Sequence, residues 1–178
     1  MHLMRERIPR EMPILDRRSL DFISHSVAQT RRLGARLGEL LQGGDVICLA
    51  GELGTGKTCF VQGIGRGMGV RGPITSPSFT LINEHPSLGS GPTLYHIDLY
   101  RLHDPVGEAL SFGLEDYLYG DGVCVIEWAD RARVLVPPEH LWITMHHVDE
   151  TKRGLLFRAV GARYEALLRA FRRSAFGV

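Results

Sequence analysis

Lysine is nearly absent from this chain: its 178 residues include nineteen arginines but only Lys57 and Lys152. Aromatics are few at 8%, cysteines number three, and the formal charge is only +1. No apolar run approaches the length of a membrane span, so no membrane attachment is expected. The balanced charge leaves no overall electrostatic footprint for nucleic acid. Cys48, Cys59 and Cys124 lack metal-site spacing. Two of them fall inside apolar runs, so buried reduced thiols are expected rather than a disulfide framework. Residues 1–20 are arginine-rich, broken by Pro9 and Pro13, and have no apolar centre of the signal-peptide kind. They read as a flexible N-terminal extension, followed by a single domain over residues 21–178 of a cytoplasmic protein. At 44% hydrophobic and 23% charged, that domain should be globular.

One of the two lysines stands inside Gly51-Glu52-Leu53-Gly54-Thr55-Gly56-Lys57-Thr58, a complete G-x-x-x-x-G-K-[ST] pattern. The apolar run Asp45–Ala50 before it predicts a buried strand, and Phe60–Met68 after it a helix that the following glycine stops. A glycine-rich turn of this pattern arises by chance in about one chain in a hundred of this length. Glycines let the backbone approach a phosphate that a Cβ would block. Loop and helix N–H groups then converge on anionic oxygens. Nucleotide would be bound by Glu52, Leu53, Gly54, Thr55, Gly56, Lys57, Thr58 and Cys59. Lys57 would reach the terminal phosphates, and the Thr58 hydroxyl would ligate magnesium.

The rest of the chain supplies a mostly parallel α/β sheet. Phe22–Ser24 is a short strand, and Ser26 with Gln29 forms a capping box that opens a helix. Val27, Leu33, Leu37, Leu40 and Leu41 share one face of that helix, and Gly43-Gly44 closes it. Pro73–Thr80 is a rigid polar loop; its hydroxyls Thr75, Ser76, Ser78 and Thr80 suit a switch that senses a terminal phosphate. Phe79–Ile82 should lead out of it as a strand. Thr93–Asp98 alternates as a strand, Pro105–Tyr119 is helix-like with Leu110, Leu114 and Leu118 in a row, and Val123–Trp128 is an apolar run that reaches a carboxylate at Glu127. Leu141–Val148 and Gly154–Val160 read as an antiparallel hairpin, so the adjacent His146 and His147 point to opposite faces and cannot share a metal. The last helix, near Ala162–Arg173, buries Leu167, Leu168 and Phe171 and gathers Arg163, Arg169, Arg172 and Arg173 on a solvated basic face.

Asp98 and Glu127 both close strands that follow the glycine loop. In an open α/β sheet the ligand crevice lies beyond those strand ends. Two carboxylates there suit a magnesium ligand and a water-orienting partner, in either order. The N-K-x-D element of a GTPase is missing.

Gly51–Thr58, Thr75-Ser76-Pro77-Ser78-Phe79-Thr80, Leu94-Tyr95-His96-Ile97-Asp98-Leu99-Tyr100-Arg101 and Ile126-Glu127-Trp128 together resemble the TsaE (YjeE) family, in order, from about Phe22 to Leu168. The resemblance implies a single P-loop NTPase-like domain with a mostly parallel central sheet flanked by helices and a later antiparallel hairpin. It implies an ATPase, weak alone, that hydrolyses ATP with magnesium inside an assembly with TsaB and TsaD. That assembly installs threonylcarbamoyladenosine beside the anticodon of ANN-decoding tRNAs, so tRNA is a partner through the assembly. Carried over, Lys57 holds phosphates, Thr58 is the magnesium ligand, Asp98 and Glu127 are the site acids, Trp128 matches the tryptophan that follows, and Thr75–Thr80 is the switch loop. Ser78 and Cys59 replace residues that are usually threonine. A small-molecule kinase is the alternative, with Arg131 and Arg133 as lid arginines; a nucleotide-gated binding module is a third possibility.

Overall fold

The computed structural model of the chain describes residues 16–178. Its strands are β1 (Ser19–Ser24), β2 (Val46–Ala50), β3 (Ile82–His85), β4 (Leu94–Asp98), β5 (Val123–Glu127), β6 (His140–His147) and β7 (Arg153–Val160). Its helices are α1 (Val27–Gly38), α2 (Lys57–Met68), α3 (Pro105–Ser111), α4 (Leu114–Leu118) and α5 (Ala162–Phe176), with a 3₁₀ segment over Ala129–Leu135. The seven strands form one sheet in the order β1-β7-β6-β2-β5-β4-β3. Strands β6, β2, β5 and β4 are mutually parallel, while β7, β1 and β3 join antiparallel.

The continuous apolar runs at β2 and β5 are what parallel strands covered on both faces require, and all five residues of each are buried. Period-two alternation sorts them between two cores. Ile47, Leu49, Val123 and Val125 pack under α1, α2 and α5 with Leu37, Phe60 and Phe171. Cys48, Ile97, Ile126 and Trp142 pack on the other face with Leu114 and Leu118. Glu127 therefore emerges at the end of β5 on the α2 side, and the parallel register sets it opposite Asp98.

Helices α1 and α2 meet backbone to backbone. A Cβ on Gly34 would lie 2.4 Å from the Phe60 carbonyl oxygen, and one on Gly63 would lie 2.2 Å from that of Arg31. The glycine pairs 34/38 and 63/67 thus hold the helix that follows the glycine loop at a fixed height over the sheet.

Several expectations need correction. The capping contact forms, with the Gln29 N–H donating to Ser26 Oγ at 3.0 Å, but Val27 in the first turn is exposed and the helix ends at Gly38. The strand expected at Phe79–Ile82 is a turn: Leu81 takes a positive φ of 68°, Phe79 is exposed, and β3 begins at Ile82. The single helix expected over Pro105–Tyr119 is broken by Gly113 at φ 84°, which leaves Leu110 exposed. Strand β1 begins at Ser19 with Leu20 buried, so the sheet reaches into the segment expected to be a flexible extension; residues 1–15 lie outside the described ones. The basic face of α5 is partly structural. Arg163 bonds both Asp45 oxygens at 2.9 and 2.7 Å and the Leu40 carbonyl, and Arg172 bonds the Asp16 and Ser19 carbonyls.

Candidate functional site

The site lies where β2 gives way to α2. Gly51 takes a φ of 144° and has the Met145 carbonyl oxygen 2.2 Å from where a Cβ would stand, so only glycine fits. Gly54 and Gly56 also take positive φ, and Gly56 caps α2 without a side chain. No side chain therefore masks the first N–H groups of α2, which have no intrahelical partner. Thr55 Oγ1 donates to the Glu52 carbonyl at 2.9 Å and closes the loop on itself. Glu52 and Leu53 stand on the exposed outer side of that loop, where the Leu53 carbonyl meets His147 Nε2 at 3.2 Å.

Lys57 folds back along the loop. Its ammonium donates to the carbonyls of Gly51 at 2.6 Å and Glu52 at 2.8 Å and lies 4.2 Å from the centre of the Trp128 ring. Burial lowers its pKa, against the opposing pull of Glu127, Asp98 and Asp130. A cation that is desolvated, and compensated by carbonyls, an aromatic face and distant acids rather than by a paired carboxylate, is favourably placed for an incoming anion.

Across from it, Thr58 Oγ1 donates to Glu127 at 2.9 Å (Oε1) and 3.1 Å (Oε2), joining the start of α2 to the end of β5. His96 Nε2 lies 2.6 Å from Glu127 Oε2. Asp98 accepts from Ser76 Oγ at 2.6 Å and from the Tyr100 N–H at 2.9 Å. Both carboxylates are buried. The Trp128 backbone is left-handed at φ 59°, which turns its ring back over Lys57 and against Tyr100, with centroids 4.7 Å apart.

Lys57, Thr58, Asp98, Glu127 and Trp128 are thus brought together. The polar loop is divided. Ser76 reaches Asp98, Ser78 bonds Ser76 at 2.9 Å, and Thr80 turns away to Asn83. Thr75 is exposed. Arg131 and Arg133, the candidate lid arginines, are engaged elsewhere: Arg131 donates to the carbonyls of Leu99, Tyr100 and Leu102, and Arg133 lies 4.3 Å from the centre of the Trp142 ring.

Two features have no counterpart in the sequence reading. His96 is one; its place two residues before Asp98 on an alternating strand, hence on the same face, was the available signal. The other is a cavity of about 350 Å³ on the α1 side of the loop, lined in part by Val27, Thr30, Gly56, Cys59, Thr151 and Arg153. Cys59 opens onto it. No sequence signal could have found it, because its walls come from three separate stretches.

The donor set fits a magnesium nucleotide: a loop of positive-φ glycines and uncapped N–H groups, one ammonium, one hydroxyl, and two carboxylates of the hard oxygen type that magnesium takes. Fold and site together define an open α/β domain built around a strand–glycine-loop–helix unit with paired acids on neighbouring strands. Residues 24–155 match the family described as "Threonylcarbamoyl adenosine biosynthesis protein TsaE". Similar proteins carry the name "tRNA threonylcarbamoyladenosine biosynthesis protein TsaE". That of Bacillus subtilis is 39% identical over 78% of this chain and 85% of its own length. That of Treponema pallidum is 40% identical over 75% and 96%, and that of Streptomyces coelicolor 49% identical over 56% and 67%. The crystal structure of Bacillus subtilis YdiB superposes with a TM-score of 0.73 at 33% identity, covering 87% of this chain and 95% of that one. The chain belongs to the TsaE family.

Proposed function

We propose that this protein is a magnesium-dependent ATPase that acts in the biosynthesis of tRNA threonylcarbamoyladenosine, inside an assembly with TsaB and TsaD. The observation that carries the catalytic part is the Thr58–Glu127 contact. It sets a hydroxyl at the start of α2 against a carboxylate at the end of a neighbouring strand, at the mouth of the glycine loop. The N–H groups of Gly54–Thr58 would cradle the phosphates, and Lys57 would leave its two carbonyls to pair with their terminal oxygens. Thr58, Glu127 and Asp98 would hold magnesium, whose charge would offset that developing on the phosphates. The cavity beside Cys59 would take the nucleoside. Ser76, which donates to Asp98, would link the occupancy of the site to the loop that carries Phe79.

A small-molecule kinase needs free arginines over the phosphates, and the bonds of Arg131 to three carbonyls work against that alternative. The test is ATP hydrolysis by the purified protein, alone and with the TsaB–TsaD pair, beside Glu127→Gln. Weak activity that rises on adding the pair, and a variant that binds ATP but supports neither hydrolysis nor tRNA modification, are expected. Activity indifferent to the pair but raised by a phosphoryl acceptor would favour the kinase. Modification that persists in the variant would leave a binding module that does not need hydrolysis.

A further inference from the structure

His96 stands on β4 two residues before Asp98, so its ring shares the face of that carboxylate and of Glu127 on the next strand. It is fully buried. An ionised carboxylate only accepts, so Nε2, 2.6 Å from Glu127 Oε2, carries the hydrogen and donates it. The other ring nitrogen, Nδ1, is buried without a hydrogen-bond partner, as is Nε2 of His85, its diagonal neighbour on β3. A ring kept for packing alone would be better replaced by leucine, since a buried unpartnered acceptor opposes folding.

What the ring supplies is a second hold on Glu127. The Thr58 hydroxyl contacts both carboxylate oxygens, at 2.9 and 3.1 Å, and alone does not choose between them. The terminal carboxylate torsion is broad and soft. With His96 on Oε2, the torsion is fixed and Oε1 is directed at Thr58. Asp98 is held differently, by the hydroxyl of the exposed Ser76 and one backbone N–H, so its restraint depends on the polar loop. The second hold on Glu127 comes from the interior of the sheet and does not depend on that loop.

We propose that His96 is a positioning residue for Glu127: it fixes the carboxylate in the orientation that receives magnesium, before nucleotide arrives. This rests on the magnesium-nucleotide site proposed above. The experiment measures affinity for a non-hydrolysable ATP analogue (the β,γ-imido triphosphate) by calorimetry, in EDTA and in magnesium. The proteins are wild type, His96→Leu, His96→Gln, Glu127→Gln and the double variant His96→Leu with Glu127→Gln, each checked for folding by thermal melting. His96→Leu should leave affinity in EDTA unchanged and lower the gain conferred by magnesium about 10- to 100-fold, as is typical for the partner of a metal ligand. His96→Gln, whose amide nitrogen reaches the place of Nε2, should restore most of that gain. In the Glu127→Gln background, His96→Leu should add nothing.

A full magnesium gain in folded His96→Leu, a loss that adds to that of Glu127→Gln, or no recovery with glutamine would each overturn the positioning role. If His96→Leu does not fold, His96→Asn, too short to reach Oε2, takes its place against His96→Gln. A wild type with no magnesium gain would bring down the magnesium site and this proposal with it, whereas failure confined to the His96 variants overturns the positioning alone.

Discussion

Gly34→Ala should destabilise the protein, against the sign that helix propensity gives. In a helix interior, alanine in place of glycine gains about 1 kcal/mol. Here the new Cβ would lie 2.4 Å from the Phe60 carbonyl oxygen and 3.1 Å from both the Gly63 Cα and the Ile64 nitrogen. All three are backbone atoms of α2, with no side chain to rotate away. Restoring an ordinary contact takes a separation of about 1 Å between α1 and α2, the kind of overpacking that costs about 1–3 kcal/mol. After the propensity gain, a net loss of up to about 2 kcal/mol remains, or up to about 8 °C in Tm for a domain of this size. Urea unfolding at unchanged slope reads it directly, with Gly89→Ala, which would meet nothing within 4 Å, as the neutral control. Because α2 begins with Lys57 and Thr58, nucleotide affinity should fall as well. A Gly34→Ala midpoint equal to or above wild type would refute the backbone seam as the element that sets the height of α2.

Other outcomes follow from contacts away from the seam. Arg163→Ala leaves Asp45 buried without its bidentate partner; since the Arg163 side chain is itself about one-third exposed, a loss of about 1–3 kcal/mol is expected in urea unfolding, with nucleotide affinity intact. Lys57→Ala removes the ammonium from the glycine loop, and calorimetry should show ATP affinity reduced at least tenfold in EDTA, where magnesium plays no part. Alkylation of the native protein should modify Cys59 first and be slowed by ATP, because Cys59 opens onto the cavity while Cys48 and Cys124 are buried. Burial raises all three thiol pKa values, that of Cys124 to about 12. The reactive thiolate is therefore scarcer at neutral pH than for a free cysteine, and the Cys59 rate should still be climbing at pH values where an exposed thiol has levelled off.

Much of the site was legible because it is written in local chemistry. The Gly51–Thr58 spacing, the apolar runs at β2 and β5, and the acids that close β4 and β5 each follow from a short stretch of chain. The turn at Leu81 was not legible, because a leucine at positive φ contradicts its own preference and is held there by bonds to Pro77 and Asp98. The break at Gly113 was obscured by the four-residue leucine spacing that runs through it. His96 went unassigned and Arg163 was read as solvated for a different reason: each acts through a partner far away in sequence, Glu127 and Asp45. The strand order that brings those partners together is a tertiary outcome, beyond the reach of periodicity.

The left-handed backbone at Trp128 sets two demands in opposition. Glycine or asparagine would adopt that conformation with less strain than an aromatic residue, yet only an aromatic ring can lie over the Lys57 ammonium. A library randomised at position 128 and sorted for folded protein alone should drift toward glycine and asparagine. The same library sorted for nucleotide retention should return tryptophan, so that the two enriched pools, sequenced side by side, separate what the backbone prefers from what the lysine needs.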